Sequence, residues 1–214
     1  MDALIAVLAG GRGTRLGGTK ATAELAGRPL IEHAMAAASE AAELTSAAPS
    51  GSSFGGDARL VAGAIDVLVV AKPDSPLPEL DVPILREPER PSHPLCGVAA
   101  ALREADGRAV VVMACDMPFV SPSLLAWLAG VADPLVVPEH GGLLHPLLAR
   151  YEPALLPRLE AALAAEMPLQ HTVASLGPRV IGSDQLARFG DPERLLFNVN
   201  TPADLERAER LLGG

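Results

Sequence analysis

The stretch that most constrains this chain is Leu4–Leu8, followed by Ala9-Gly10-Gly11-Arg12-Gly13-Thr14-Arg15-Leu16-Gly17-Gly18-Thr19-Lys20. Five apolar residues ending at glycine suit a short strand buried on both faces, which demands cover from above and below. The loop that leaves this strand holds five glycines and three cations, Arg12, Arg15 and Lys20. Glycines let a backbone approach an anion closely and turn successive N–H groups toward it. Ligands of parallel sheets gather at the carboxyl ends of the strands. The loop is therefore predicted to hold a polyphosphate.

Two common phosphate motifs do not fit. The dinucleotide pattern G-x-G-x-x-G is met at Gly11 and Gly13 but broken at Leu16, and a P-loop counted from Gly13 reaches Gly18 and then reads Thr19-Lys20 in the wrong order.

Further short apolar runs follow at Ile65–Ala71, Val82–Leu85, Ala109–Cys115, Leu135–Pro138, Leu147–Arg150 and Leu196–Val199. Helical spacing links Leu30, Ile31, Ala34, Met35, Ala38 and Ala42 after Pro29, and that helix is predicted to fade near Leu44. Other helices are expected at Val98–Ala105, entered through Pro94-Leu95-Cys96-Gly97, after Ser121-Pro122, at Leu155–Ala165, and from Thr201-Pro202 to Leu212. Strands alternating with helices predict an α/β fold: a three-layer α/β/α sandwich, with a Rossmann-like, mostly parallel sheet and helices on both faces. No internal repeat or linker divides the chain, so residues 1–214 read as a single domain. The Ser-, Gly- and Pro-rich Thr45–Ala58 is expected to be a flexible surface loop.

Composition narrows the function. With 49% hydrophobic residues the chain can bury a sizeable core, yet no run approaches a membrane span, and the N-terminus lacks the basic start of a signal peptide. Cys96 and Cys115 offer neither a disulfide framework nor metal-ligand spacing, which suits a reducing cytoplasm. A net charge of −9 and 3% aromatic residues argue against nucleic-acid binding. A local cluster of cations still permits one anionic small molecule.

The first loop resembles the signature L-A-G-G-x-x-x-R-[ML]-G-x-[DT]-K of the molybdenum cofactor guanylyltransferase group of nucleotidyltransferases. The resemblance continues at Pro94-Leu95-Cys96-Gly97, at Asp116-Met117-Pro118-Phe119 and at Asn198-Val199-Asn200-Thr201-Pro202-Ala203-Asp204-Leu205, in the family's order from Leu8 to Leu205. The first loop alone marks a wider superfamily, and the combination with the C-terminal Asn-Val-Asn-Thr-Pro stretch is more specific.

The resemblance implies transfer of GMP from GTP to the terminal phosphate of the molybdenum-bound molybdopterin cofactor, with release of pyrophosphate. It implies that Leu8, Ala9 and Gly10 contact the nucleotide through their backbone, that Gly11, Arg12 and Gly13 wrap the triphosphate, and that Lys20 reaches its oxygens. Arg15 would stabilise charge developing on pyrophosphate. Asp116 corresponds to the family's Mg²⁺ ligand, and by its own position it is a carboxylate at the end of the most apolar strand; Mg²⁺ needs only one or two carboxylates plus phosphate oxygens. Asn200 and Asn198 are candidates to orient the metal or the acceptor phosphate, or else to precede the helix start. His145 resembles a residue bordering the pterin, while Cys96 and His33 read as packing and helix-face residues. The oxygen-sensitive acceptor suggests transient handover from a molybdenum-inserting protein and onward to apo-molybdoenzymes.

Three positions depart from the residues commonest in the family. Thr19 stands where Asp commonly precedes the lysine, Val70 where an asparagine touches the nucleotide, and Glu87 where an aspartate does. Guanine would be read by a carboxylate accepting from its N1–H and N2–H₂ groups, so these departures bear on base identity more than on transfer chemistry. The alternatives are a related transferase using CTP or another phosphate acceptor, and a nucleotide-binding protein of the same fold without turnover.

Overall fold

The computed structural model describes residues 2–11, 16, 18, 20–47, 53–54, 58–59 and 64–213. The chain runs β1 (Ala3–Leu8), a 3-10 turn at Lys20–Thr22, β2 (Glu24–Leu25), β3 (Arg28–Pro29), α1 (Leu30–Ala47), β4 (Ser53–Phe54), β5 (Ala58–Arg59), β6 (Ile65–Ala71), β7 (Ile84–Arg86), α2 (Pro94–Glu104) and β8 (Ala109–Ala114). It continues with α3 (Pro122–Gly130), β9 (Leu135–His140), β10 (Leu143–Leu144), β11 (Leu148–Tyr151), α4 (Leu156–Ala164), α5 (Leu169–Ser175), β12 (Arg179–Ile181), α6 (Ser183–Leu186), α7 (Pro192–Leu195) and α8 (Pro202–Gly213).

The main sheet has the order β10-β9-β11-β8-β1-β6-β7, with β12 also paired to β9. Strands β7, β6, β1 and β8 are mutually parallel, and β11 is antiparallel to both β8 and β9. Because successive strand side chains point to opposite faces, β1 supplies two cores. Ala3, Ile5 and Val7 pack with α1 and α3, while Leu4 and Ala6 pack with α2 and α4. The expected mostly parallel sheet with helices on both faces is the observed architecture. Alanines at positions 34, 37, 38 and 41 form the buried stripe of α1. Their small side chains let that helix pack closely against α3.

Several boundaries differ from the sequence expectation. Helix α1 runs past Leu44 to Ala47, because Thr45 is buried and its hydroxyl donates to Ala41 O at 2.8 Å. Of the expected surface loop, residues 48–52 and 55–57 lie outside the described residues, while β4 and β5 pair antiparallel. Helix α2 begins at Pro94, so Pro94 to Gly97 are its first turn, not its approach. His93 caps it, with Nδ1 accepting from Leu95 N at 3.1 Å and proline at the first helical position. Leu196–Val199 is not a strand. Val199 N donates to Asp116 O at 2.9 Å, and Phe197 and Val199 join Leu25, Leu30 and Ala208 in a separate small core, so this segment is held by packing in place of a ladder. No helix among the described residues is long and apolar enough to cross a membrane.

Candidate active site

Register builds the site. Leu8 of β1 is paired with Val70 of β6 on one side and with Ala114 of β8 on the other. Two residues beyond these three partners come Gly10, Lys72 and Asp116, at the carboxyl edge of three adjacent parallel strands. The ladder continues one step past the strands, through Ala9 N to Val70 O at 2.8 Å and Cys115 N to Leu8 O at 3.1 Å. On the outer side, Glu87 N donates to Ala71 O at 2.9 Å, which sets Glu87 next to Lys72. Strands are spaced by about 4.8 Å, so the ends of β6 and β8 lie about 10 Å apart. That span suits a nucleotide lying across the sheet edge.

A cavity of about 330 Å³ occupies this edge, and Leu8, Gly10, Lys20, Glu87, Gly97 and Asp116 are among the residues that line it. Two ion pairs face it. Lys20 Nζ lies 2.5 Å from Asp116 Oδ2 and also donates to Asn200 Oδ1. Asp116 is buried, and its Oδ1 has no hydrogen-bond partner. In the second pair, Lys72 Nζ lies 3.2 Å from Glu87 Oε1, and Glu87 Oε2 likewise has no partner. Leaving a buried charged oxygen unmatched is costly, and both orphans belong to cavity-lining residues, where a ligand would satisfy them.

A Cβ at position 10 would come within 2.6 Å of Glu87 Oε1, so glycine there leaves room for this carboxylate where it stands. At Gly97 a Cβ would press on the Leu8 side chain at 3.2 Å. Burial pushes the Glu87 carboxyl above its ordinary value, with the Lys72 ammonium opposing the shift. Burial also drives the Cys115 thiol strongly up, reinforced by the Asp116 carboxylate, so this cavity-lining sulfur stays protonated and offers no nucleophile.

Leu8, Gly10, Gly11, Lys20, Glu87 and Asp116 all line the cavity, as does Val70. Ala9 is buried with its N–H committed to Val70 O, so it cannot donate to a ligand. Arg12, Gly13, Arg15 and Thr19 lie outside the described residues. Of the two asparagines, Asn200 reaches Lys20, whereas Asn198 Nδ2 donates to Leu196 O at 3.1 Å. Asn198 lines an adjoining groove of about 430 Å³ with Met117 and His145, and Pro94 and Leu147 border both spaces. Burial lowers the His145 pKa, with His140 adding to the effect, which keeps that ring neutral. Cys96 Sγ lies 3.1 Å from Pro91 O, and the His33 ring nitrogen Nε2 bonds Leu25 O at 3.0 Å. Neither residue lines the cavity.

Asn200 is held by the start of α8. Asp204 Oδ2 accepts from Asn200 N at 3.0 Å and Thr201 N at 2.8 Å, while Thr201 Oγ1 accepts from Asp204 N at 3.2 Å. This is a capping box with aspartate in the usual glutamate position.

Sequence reasoning missed Lys72. The chain has only two lysines, Lys20 and Lys72, and both line this cavity. The available signal was that Lys72 follows an apolar strand directly, two residues after Val70.

A lysine–carboxylate pair at the edge of a parallel sheet, beside glycines that admit a ligand to the backbone, defines a nucleotide-handling α/β protein. The chain belongs to the MobA-like NTP transferase domain family, whose model matches residues 5–179. It is 37% identical over 215 residues to the molybdenum cofactor guanylyltransferase of Cereibacter sphaeroides, covering 96% of this chain and 95% of that one. A probable molybdenum cofactor guanylyltransferase of Carboxydothermus hydrogenoformans is 29% identical over 209 residues, covering 95% of this chain and 93% of that one. The molybdopterin-guanine dinucleotide biosynthesis protein A of Archaeoglobus fulgidus superposes with a TM-score of 0.74 at 26% identity, over 98% of both chains.

Proposed function

We propose that this protein transfers GMP from GTP to the terminal phosphate of molybdenum–molybdopterin, forming the guanine dinucleotide cofactor and pyrophosphate. The observation that carries the reading is the Lys20–Asp116 pair at the cavity wall, with Asp116 Oδ1 buried and unmatched. Its family supports the same reading.

That unmatched oxygen fits a divalent cation. Mg²⁺ accepts one or two carboxylates and completes its shell with phosphate oxygens and water. Asp116 would hold it, with Asn200 Oδ1 as the neighbouring neutral oxygen. When bound, Mg²⁺ would neutralise charge on the triphosphate.

The remaining chemistry falls to the chain's own groups. An oxygen of the acceptor phosphate forms the new bond to the α-phosphorus of GTP, and the bond from that phosphorus to the bridging oxygen of pyrophosphate breaks. The attacking phosphate is already ionised at neutral pH, so no general base is needed. Lys20, a point charge on a flexible stem, would stabilise the phosphate oxygens as charge shifts in the transition state. Glu87 presents a carboxylate to the Watson–Crick edge of guanine. Its oxygens accept from N1–H and N2–H₂, whereas cytosine and adenine would turn a ring-nitrogen acceptor toward them. The adjoining groove beside His145 and Asn198 is suited to the acceptor. Arg12, Gly13 and Arg15 complete the phosphate loop in this reading. It also carries a cytoplasmic location, with brief contacts to a molybdenum-inserting protein and to apo-molybdoenzymes.

The test is turnover of purified protein with GTP, Mg²⁺ and molybdenum–molybdopterin, followed by chromatography of the dinucleotide and release of pyrophosphate. Product from GTP and not from CTP is the expected result. Product from CTP overturns the base assignment, and no product from any nucleotide overturns the reading.

A further inference from the structure

Lys72 has no part in the reading above, yet its surroundings are those of a ligand-binding group. It is mostly buried at the cavity wall, immediately beyond the end of β6. An ammonium has three N–H donors. One faces Glu87 Oε1 at 3.2 Å and one donates to Pro88 O at 2.6 Å. The third has no protein partner among the described residues. Beside it, Glu87 Oε2 is buried and unmatched. The cavity wall thus presents one free donor next to a carboxylate with accepting capacity to spare.

That order of groups is the complement of one nucleobase edge. Guanine displays an acceptor at O6, then donors at N1–H and N2–H₂. A carboxylate meeting the two donors places the neighbouring ammonium beside O6. Adenine turns a donor toward the ammonium and a ring-nitrogen acceptor toward the carboxylate. Cytosine also sets its N3 acceptor against the carboxylate, and uracil matches the first two groups but turns its O2 acceptor to the remaining carboxylate oxygen. Only guanine pairs at all three positions.

We infer that Lys72 is a specificity-determining residue that donates a hydrogen bond to O6 of guanine, so that Lys72 and Glu87 together read the base. This rests on the guanine reading of the site. It also gives the departure at Val70 a physical counterpart. Val70 has no donor, and Lys72 lies two residues further along the same strand direction, on the same side, where it supplies one.

The test compares equilibrium binding of GTP, 6-thio-GTP and inorganic tripolyphosphate, each with Mg²⁺, to the wild type and to Lys72→Met. Sulfur at position 6 is a weak acceptor, while N1–H and N2–H₂ are unchanged, and tripolyphosphate has no base. The wild type is expected to prefer GTP over 6-thio-GTP by about tenfold, as suits a hydrogen bond from a charged donor. Lys72→Met should lose that preference and keep its tripolyphosphate affinity. If Lys72 only held Glu87 in place, the variant would weaken both nucleotides equally and keep their ratio, which overturns the inference. Should the variant not fold, the wild type alone decides, because equal affinity for GTP and 6-thio-GTP is equally fatal. A wild type that binds CTP or ATP as well as GTP fails the guanine reading itself, a different outcome from a GTP-selective protein indifferent to Lys72→Met.

Discussion

Lys20 and Asp116 are 96 residues apart in sequence, yet the lysine ammonium lies 2.5 Å from the carboxylate Oδ2 at the carboxyl edge of the sheet. One comes from the turn after β1 and the other from the end of β8, and the parallel pairing of those strands brings them together.

Asp116→Asn keeps the shape of the side chain and one acceptor but removes the charge that would hold a cation. Turnover should fall on the order of a hundredfold or more, the loss typical when a main electrostatic stabiliser is removed. The melting temperature should hold, because Lys20 keeps its bond to Asn200. Chelation of divalent metal should abolish wild-type turnover in the same assay. Full activity of the variant would remove Asp116 from the reaction.

Gly10→Ala would bring a methyl within 2.6 Å of Glu87 Oε1, an atom already held by Lys72. The carboxylate must move, so GTP affinity should drop by roughly tenfold, equivalent to the loss of about one good hydrogen bond. Tripolyphosphate affinity should survive. Calorimetry of both ligands checks this, and equal losses would point to a general distortion of the loop.

The raised pKa of Glu87 gives two pH effects of opposite sign. The folded protein holds this proton more tightly than the unfolded chain, whose value is near 4.5. Its ionised form therefore costs stability, which is lost as pH rises through the folded value and regained as pH falls toward 4.5. The advantage in melting temperature of Glu87→Gln over the wild type should widen across that window as pH rises. Base recognition runs the other way, since a protonated carboxyl has one oxygen fewer to accept with. The ratio of GTP to tripolyphosphate affinity should fall on acidification in the wild type and stay flat in Glu87→Gln.

At the start of α8, burial raises the Asp204 pKa, but the bonds from Thr201 and from the Asn200 and Thr201 amides, aided by Arg207, outweigh it and leave the net shift downward. Its contribution is thus present at neutral pH and lost only as pH falls below 3.8 through the lower folded value. Asp204→Ala should cost about 1 kcal/mol, as for other lost caps. It should also raise KM for GTP, because Asn200 loses its anchor. Thermal melts with steady-state kinetics test both, and a pure stability loss would uncouple the cap from the site.

Arg150, 1% exposed, has a purely structural task. Its guanidinium donates to Ala129 O at 3.0 Å, Asp133 O at 3.2 Å and Leu128 O at 3.5 Å, and it pairs with Glu152. It thereby closes the carboxyl end of α3. Arg150→Met fills similar space but strands those carbonyls, at a cost of about 3 kcal/mol. Chemical denaturation should show the loss, with the affinity of the remaining folded protein for GTP unchanged.

Much of this was legible in the residues themselves. The apolar runs at β1 and β8, and the mostly apolar run at β6, read as strands covered on both faces, and Thr201-Pro202 and Ser121-Pro122 as helix starts, because these signals are local and chemical. Gly10, Lys20 and Asp116 stood out through their resemblance to a nucleotidyltransferase signature, and all three line one cavity. Where the sequence reading failed, the deciding force was not local. Leu196–Val199 has the composition of a strand, but it joins no ladder; Val199 bonds Asp116 O, and Phe197 and Val199 pack in the Leu25 core. Lys72 drew no reading from the sequence, because its place beside Glu87 is set by the pairing of β6 with β7.

The order of apolar and polar residues, by itself, determined that this chain makes an α/β sheet whose first strand runs into a glycine-rich, cationic stretch. Only the tertiary structure decided that β6 and β8 flank β1 in a register that pairs Leu8 with both Val70 and Ala114. That register places Gly10, Lys72 and Asp116 side by side, and it cannot be read along the chain. It arises from hydrogen bonds between strands dozens of residues apart and from helices packed on both faces, interactions that exist only once the chain has closed on itself.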